Sequence, residues 1–147
     1  MRVLGGVAVL QAGWIAVSAL APRRRKNPLA DGPGVIEAGP VGRFEPGSVT
    51  AFADGSFFLV RLEDGGFLAV NRKCTHLGCS VPWNAELQRF ACPCHASAFD
   101  IRGDVVNAPA PRPLDLFRVA IENGVVKVDT GQLIRRNAFE PDQVARA

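Results

Sequence analysis

"KCTHLGCSVPWNAELQRFACPCHASAFD", Lys73 to Asp100, holds all four cysteines and both histidines of a 147-residue chain. They fall into two groups, Cys74-x-His76-x-x-Cys79 and Cys92-x-Cys94-His95, with fifteen residues between His76 and Cys92. Six candidate ligands exceed the four that a tetrahedral metal takes. Two of the six must do something else, and the cysteines can serve a disulfide framework, a metal site, or one pair of each.

Three assignments compete. Zinc accepts thiolate and imidazole, so a Cys₂His₂ site is chemically open. Zinc fingers, however, space their ligands in like pairs, whereas each group here offers both types. Two structural disulfides account for the cysteines and leave both histidines without a role. A [2Fe-2S] cluster with two cysteines on one iron and two histidines on the other needs one Cys and one His from each group, which the sequence supplies. Neutral imidazoles in place of thiolates make such a cluster less negative, and its potential rises to about −150 to +300 mV from about −400 mV in plant-type ferredoxins.

"CTHLGC" (74 to 79) and "CPCHASAF" (92 to 99) resemble the two cluster-binding loops of Rieske iron-sulfur proteins. The resemblance covers roughly residues 35 to 140. It implies Cys74 and Cys92 on the buried iron, His76 and His95 on the outer iron, and a Cys79 to Cys94 disulfide joining the loops. Quinol-oxidising cytochrome bc and bf complexes have that disulfide; Rieske ferredoxins and ring-hydroxylating oxygenases generally lack it. "APAPRPL" (108 to 114) is similar to the proline loop that covers the cluster, with Pro109 and Pro111 at the matching prolines, while Ala108 and Ala96 stand where the family usually has glycine. Leu77 matches the apolar residue that shields the cluster, and Ser97 the serine whose hydroxyl donates to a bridging sulfide. Phe99 occupies the position of a tyrosine that donates to a cysteine sulfur in high-potential members, and this chain contains no tyrosine. One donor fewer to the cluster sulfurs implies a potential in the lower part of the disulfide-containing range, better matched to menaquinol than to ubiquinol.

The function so implied is electron transfer within a membrane quinol:cytochrome c oxidoreductase. His95 takes a hydrogen bond from quinol held by a cytochrome b partner, an electron enters the one [2Fe-2S] cluster as a proton leaves, and the electron passes on to a c-type cytochrome. Two other readings stand beside it: the small Rieske subunit of a molybdenum arsenite oxidase, and a zinc-binding structural module.

Around the two loops the pattern is that of short strands. Apolar or alternating runs at 48–52, 56–62, 66–71, 114–121 and 125–129 are separated by Asp54-Gly55, Asp64-Gly65 and Asn123-Gly124, dipeptides suited to tight hairpins. The expected class is all-β: a small antiparallel Rieske-type β domain over 35–147, with residues 131–147 serving as a tail that contacts partners.

Upstream, Val3 to Ala21 runs nineteen residues without a charge, about 28 Å as a helix, close to the thickness of a bilayer core. Residues 1–21 are read as one transmembrane anchor, in preference to a cleaved signal, with Ala8, Ala12 and Ala16 forming a small-residue face. "PRRRKNPLADGPG", 22–34, is read as a flexible linker on which the head swings, able to reach about 43 Å at roughly 3.3 Å per residue. Its Arg23, Arg24, Arg25 and Lys26 supply four positive charges against a net charge of +3, so the rest of the chain has no basic surface for nucleic acid. That cluster follows the anchor and by the positive-inside rule favours a cytoplasmic head. A disulfide needs an oxidising compartment, and the family's heads lie outside; the expected placement is a single-pass protein of the cytoplasmic membrane with an extracytoplasmic head.

Overall fold

A computed structural model describes residues 34 to 147. The expected anchor at 1–21 and the expected linker, apart from Gly34, lie outside the described residues. Among the described residues, no helix is long and apolar enough to cross a membrane.

Among the described residues ten strands form two sheets: β1 (Val35–Pro40), β2 (Val49–Phe52), β3 (Phe57–Arg61), β4 (Phe67–Asn71), β5 (Trp83–Asn84), β6 (Arg89–Ala91), β7 (Ala98–Phe99), β8 (Val105–Asn107), β9 (Leu116–Glu122) and β10 (Val125–Ile134). The larger sheet runs β1-β10-β9-β4-β3-β2 and the smaller β5-β6-β7-β8, and every pairing between these strands is antiparallel. The all-β antiparallel expectation is met.

The hairpin of β3 and β4 is buried on both faces. Phe58, Val60, Leu68 and Val70 pack toward Cys74, Cys92, Phe90 and Phe99. Phe57, Leu59, Phe67 and Ala69 pack the opposite way, against Phe44, Ala38, Val126 and Val128. The larger sheet therefore bends until β1 and β10 cover the side of β3 and β4 that looks away from the cysteines. Burial on two faces also explains why these strands read as continuous apolar runs, not as an alternation.

Turn chemistry follows the sequence in part. Asn123 and Gly124 have φ of 50° and 77°, the two positive angles that a two-residue type I′ hairpin between β9 and β10 demands. At Asp54-Gly55 the positive angle falls instead on Ser56, at 53°. Gly55 is required for space, since a Cβ there would lie 2.4 Å from the Phe57 ring.

Three features depart from the expected pattern. β1 holds Gly39 and Pro40, which mask it as a strand, and its register shifts between Glu37 and Gly39. β10 continues past 129 to Ile134, because a second shift between Asp129 and Leu133 breaks the alternation without ending the pairing with β9. The tail is not simply a contact surface for partners. Arg136 and Val144 are buried, and Ala145 pairs with Phe67 through two backbone hydrogen bonds of 2.8 and 3.0 Å.

Phe67 is fully buried and meets the Phe44 ring edge-on at 5.9 Å. Phe67→Ala is expected to lower unfolding free energy by about 3–5 kcal/mol, read from denaturant titration. Leu133→Ala, at an exposed position, should change it by less than about 0.5 kcal/mol.

Candidate functional site

Both cysteine loops are built on one turn used twice. In the first, between β4 and β5, the Cys74 amide donates to Cys79 O at 2.8 Å and the Gly78 amide donates to Cys74 O at 2.9 Å. In the second, between β6 and β7, the Cys92 amide donates to Ser97 O at 2.8 Å and the Ala96 amide to Cys92 O at 3.2 Å. The fifth residue of each turn is left-handed, Gly78 at φ 80° and Ala96 at φ 60°. This accounts for the usual glycine at the Ala96 position: an alanine there bears a cost of roughly 1–2 kcal/mol. Asn107 holds the turn from outside, its side-chain N–H donating to Ala96 O at 2.8 Å.

The turns face each other. Cys79 and Cys94 are joined by a disulfide, with Cα atoms 6.6 Å apart. The structure thus places the expected pair in the expected bond. Cys74 and Cys92 carry free, buried thiols. The Cys92 sulfur lies within 4.8 Å of both disulfide sulfurs; since those two are consumed in a bond, the trio is not a three-cysteine metal site but a disulfide leaning on a free thiol. On the outer side the His76 and His95 rings stand 4.9 Å apart at 89°, His76 half-buried and His95 exposed. Leu77, next to His76 in the chain, is 70% exposed.

Burial pushes the Cys74 thiol above its ordinary range; a hydrogen bond from the His76 amide opposes this, the adjoining Cys92 thiol adds to it, and the Ser97 hydroxyl opposes it. The Cys74 and Cys92 thiols lie together in the interior, and a bound metal would deprotonate its thiol ligands outright. Two sulfurs inside and two imidazoles at the rim are the donor set that the mixed-ligand iron-sulfur assignment requires, so the residues fit the group.

The proline segment closes one side. Its Ala108-Pro109 bond is cis, the Ala110 amide donates to Ser97 Oγ at 3.0 Å, and Thr75 Oγ1 donates to Arg112 O at 2.6 Å. One tie reaches each loop. Ser97 is fully buried, as is Phe99, which pairs with Phe90 across β7 and β6. Thr75 and Asn107 were not predicted from the sequence. Thr75 at least lies inside the first motif, whereas nothing local marks Asn107.

Residues 35 to 120 match the Rieske [2Fe-2S] domain. The chain belongs to the Rieske [2Fe-2S] family, its cofactor is a [2Fe-2S] cluster, and the zinc reading falls. Among curated proteins it is similar to the iron-sulfur subunit of the cytochrome b6-f complex of Synechococcus sp. (strain CC9605), 47% identical over 76 residues that make up 51% of this chain and 43% of that protein. It is also similar to iron-sulfur subunit 1 of the cytochrome b6-f complex of the Cyanophora paradoxa cyanelle, 49% identical over 91 residues, 60% of this chain and 33% of that protein. The matched part thus spans less than half the length of these relatives. The fold is that of a quaternary ammonium Rieske monooxygenase solved with L-carnitine, at a TM-score of 0.53 and 19% identity, over 72% of this chain and 33% of the other.

The disulfide closes a segment with a sequence separation of 15, for which chain entropy gives about 3 kcal/mol of stabilisation. The double variant Cys79→Ser with Cys94→Ser should lose about that much in denaturant unfolding, and cluster retention, followed by visible absorbance, should fall as the loops part.

Proposed function

We propose that the chain is the electron-transfer subunit of a membrane quinol oxidoreductase of the cytochrome bc and b6-f type. The single observation that carries this reading is the Cys79 to Cys94 disulfide across two loops that bury Cys74 and Cys92 and turn His76 and His95 outward. The names of the relatives support it, and favour it over the arsenite oxidase alternative.

In this reading Cys74, His76, Cys92 and His95 are the cluster ligands. When bound, the cluster supplies a one-electron site whose reduction lowers the acidity of the attached imidazoles. His95, the exposed imidazole, accepts the hydrogen bond of a quinol presented by a cytochrome b subunit, and takes up the proton as the electron leaves the quinol. Leu77, between the turns and the partner, excludes water from that contact. The electron then passes to a c-type cytochrome. The apolar stretch from Val3 to Ala21 anchors the chain, with the head on the oxidising side of the membrane, where a disulfide persists.

The finer assignment concerns the quinone. Hydrogen bonds to ligand sulfurs stabilise the reduced cluster and raise its potential. Ser97 provides a hydroxyl next to Cys74. Phe99, buried on β7, provides none. A potential low in the range of disulfide-containing Rieske proteins suits menaquinol better than ubiquinol.

An EPR-monitored redox titration repeated across pH tests the reading. The expected result is a rhombic Rieske signal whose midpoint falls as pH rises; an iron-loaded protein without such a signal would refute the ligand set. In Phe99→Tyr the midpoint should rise, and an unchanged midpoint removes the argument for menaquinol.

A further inference from the structure

Arg136 lies outside the segment matched to the family, yet it is one of the few buried charges among the described residues, 5% exposed. Its guanidinium spans two carbonyls. Nε donates to Leu114 O at 2.8 Å, Nη2 donates to Arg102 O, and Nη1 donates to Gln143 Oε1 at 3.2 Å, with Asp104 Oδ1 at 4.0 Å. Leu114 ends the proline segment, and Arg102 sits in the turn that follows β7, so the fork joins the exit of the second cysteine loop to the end of the cover. The Leu114 amide bonds back to Gly103 O at 2.9 Å. Gly103 leaves room for this, since a Cβ there would stand 2.8 Å from Arg136 Nη2.

The proline segment is therefore held at three places. Thr75 holds Arg112 from the first loop, Ser97 holds Ala110 from the second, and Arg136 holds Leu114 from the tail. The bond at Ser97 has a directional consequence. Its hydroxyl has one proton, and by accepting from the Ala110 amide it commits a lone pair to the cover and leaves the proton for a sulfur acceptor, with the Cys74 thiol within its reach. Placement of Ala110 thus orients the Ser97 donor.

We propose that Arg136 is a positioning residue for the cluster: by clamping the end of the proline segment it keeps Ala110 on Ser97 and so keeps the Ser97 hydroxyl available to the sulfurs of the cluster and of Cys74, which holds the cluster potential up. The C-terminal tail is then a tuning strap that this chain adds beyond the matched domain. The proposal rests on Cys74 being a cluster ligand, and wild-type EPR tests that separately.

The experiment is a set of EPR redox titrations on the full chain in membranes. In Arg136→Met the midpoint should shift downward while iron per protein is kept. Arg136→Lys, which retains the charge but cannot span both carbonyls, should shift nearly as far; a wild-type midpoint in Lys with a shifted one in Met would assign the effect to charge and overturn the proposal. In a Ser97→Ala background, Arg136→Met should add little further shift. An equal shift in both backgrounds would overturn it, because Arg136 would then not act through Ser97. Arg61→Met serves as a control for simple destabilisation, since Arg61 donates to Val41 and Phe44 carbonyls far from the loops, and its midpoint should stay at the wild-type value. Should Arg136 variants fail to fold, Gln143→Ala, which removes one partner of the fork, should give a smaller shift of the same sign, and no shift there would also overturn the proposal. If the wild type shows no Rieske signal, the ligand reading fails instead, and the midpoint comparison has no basis.

Discussion

The covalent bond between Cys79 and Cys94 is the constraint on which the site depends, and it works because two identical turns lie on either side of it. Each turn closes on itself with two backbone hydrogen bonds, but neither is long enough to bury a thiol alone. Held against each other, they put the Cys74 and Cys92 sulfurs into the same apolar environment as Phe58, Phe90 and Phe99. The small four-stranded sheet and the proline segment then complete a wall around those sulfurs. Each of these elements has few bonds of its own: β5 and β7 have two residues each. Their order comes from what they surround.

Burial on both faces of the β3 and β4 hairpin supplies the rigid floor. One face meets the cysteine loops and the other meets the side chains of β1 and β10, so a displacement of the floor would have to disturb two cores at once. The tail fastens the outer end of that hairpin, where Ala145 pairs with Phe67, and Arg146 ties Asp64 in the turn between β3 and β4 at 2.7 Å. That exposed pair adds little by itself. Its value is geometric, in directing the tail from the floor toward Arg136 and the cover.

Much of this was legible in the residues. The spacing of cysteines and histidines located the two loops, the resemblance to Rieske proteins implied their pairing, and the apolar runs located five strands to within a few residues, because these signals are local. β1 was hidden by Gly39 and Pro40, and the extension of β10 by a register shift. The strands of the smaller sheet were too short to leave a period. Arg136 was illegible for a different reason: an arginine in a polar tail reads as solvated, and only the fold brings the carbonyls of Arg102 and Leu114 to the same guanidinium. Ala96 and Ala108 were flagged as unusual from the sequence, but the cause at Ala96, a left-handed backbone, required the turn to be seen.

The repetition of the turn also explains why the two histidines are not equivalent. Counting from the first cysteine of each turn, His76 is the third residue and His95 the fourth. The third position of the second turn is Cys94, which reaches across to Cys79, the sixth position of the first. Placing the disulfide at the third position moves the histidine one residue outward, next to the left-handed residue that ends the turn. His95 is exposed while His76 is half-buried. One offset in sequence thus separates an exposed imidazole from a half-buried one, and under the proposed function this asymmetry would let the site receive a proton and an electron from a single direction.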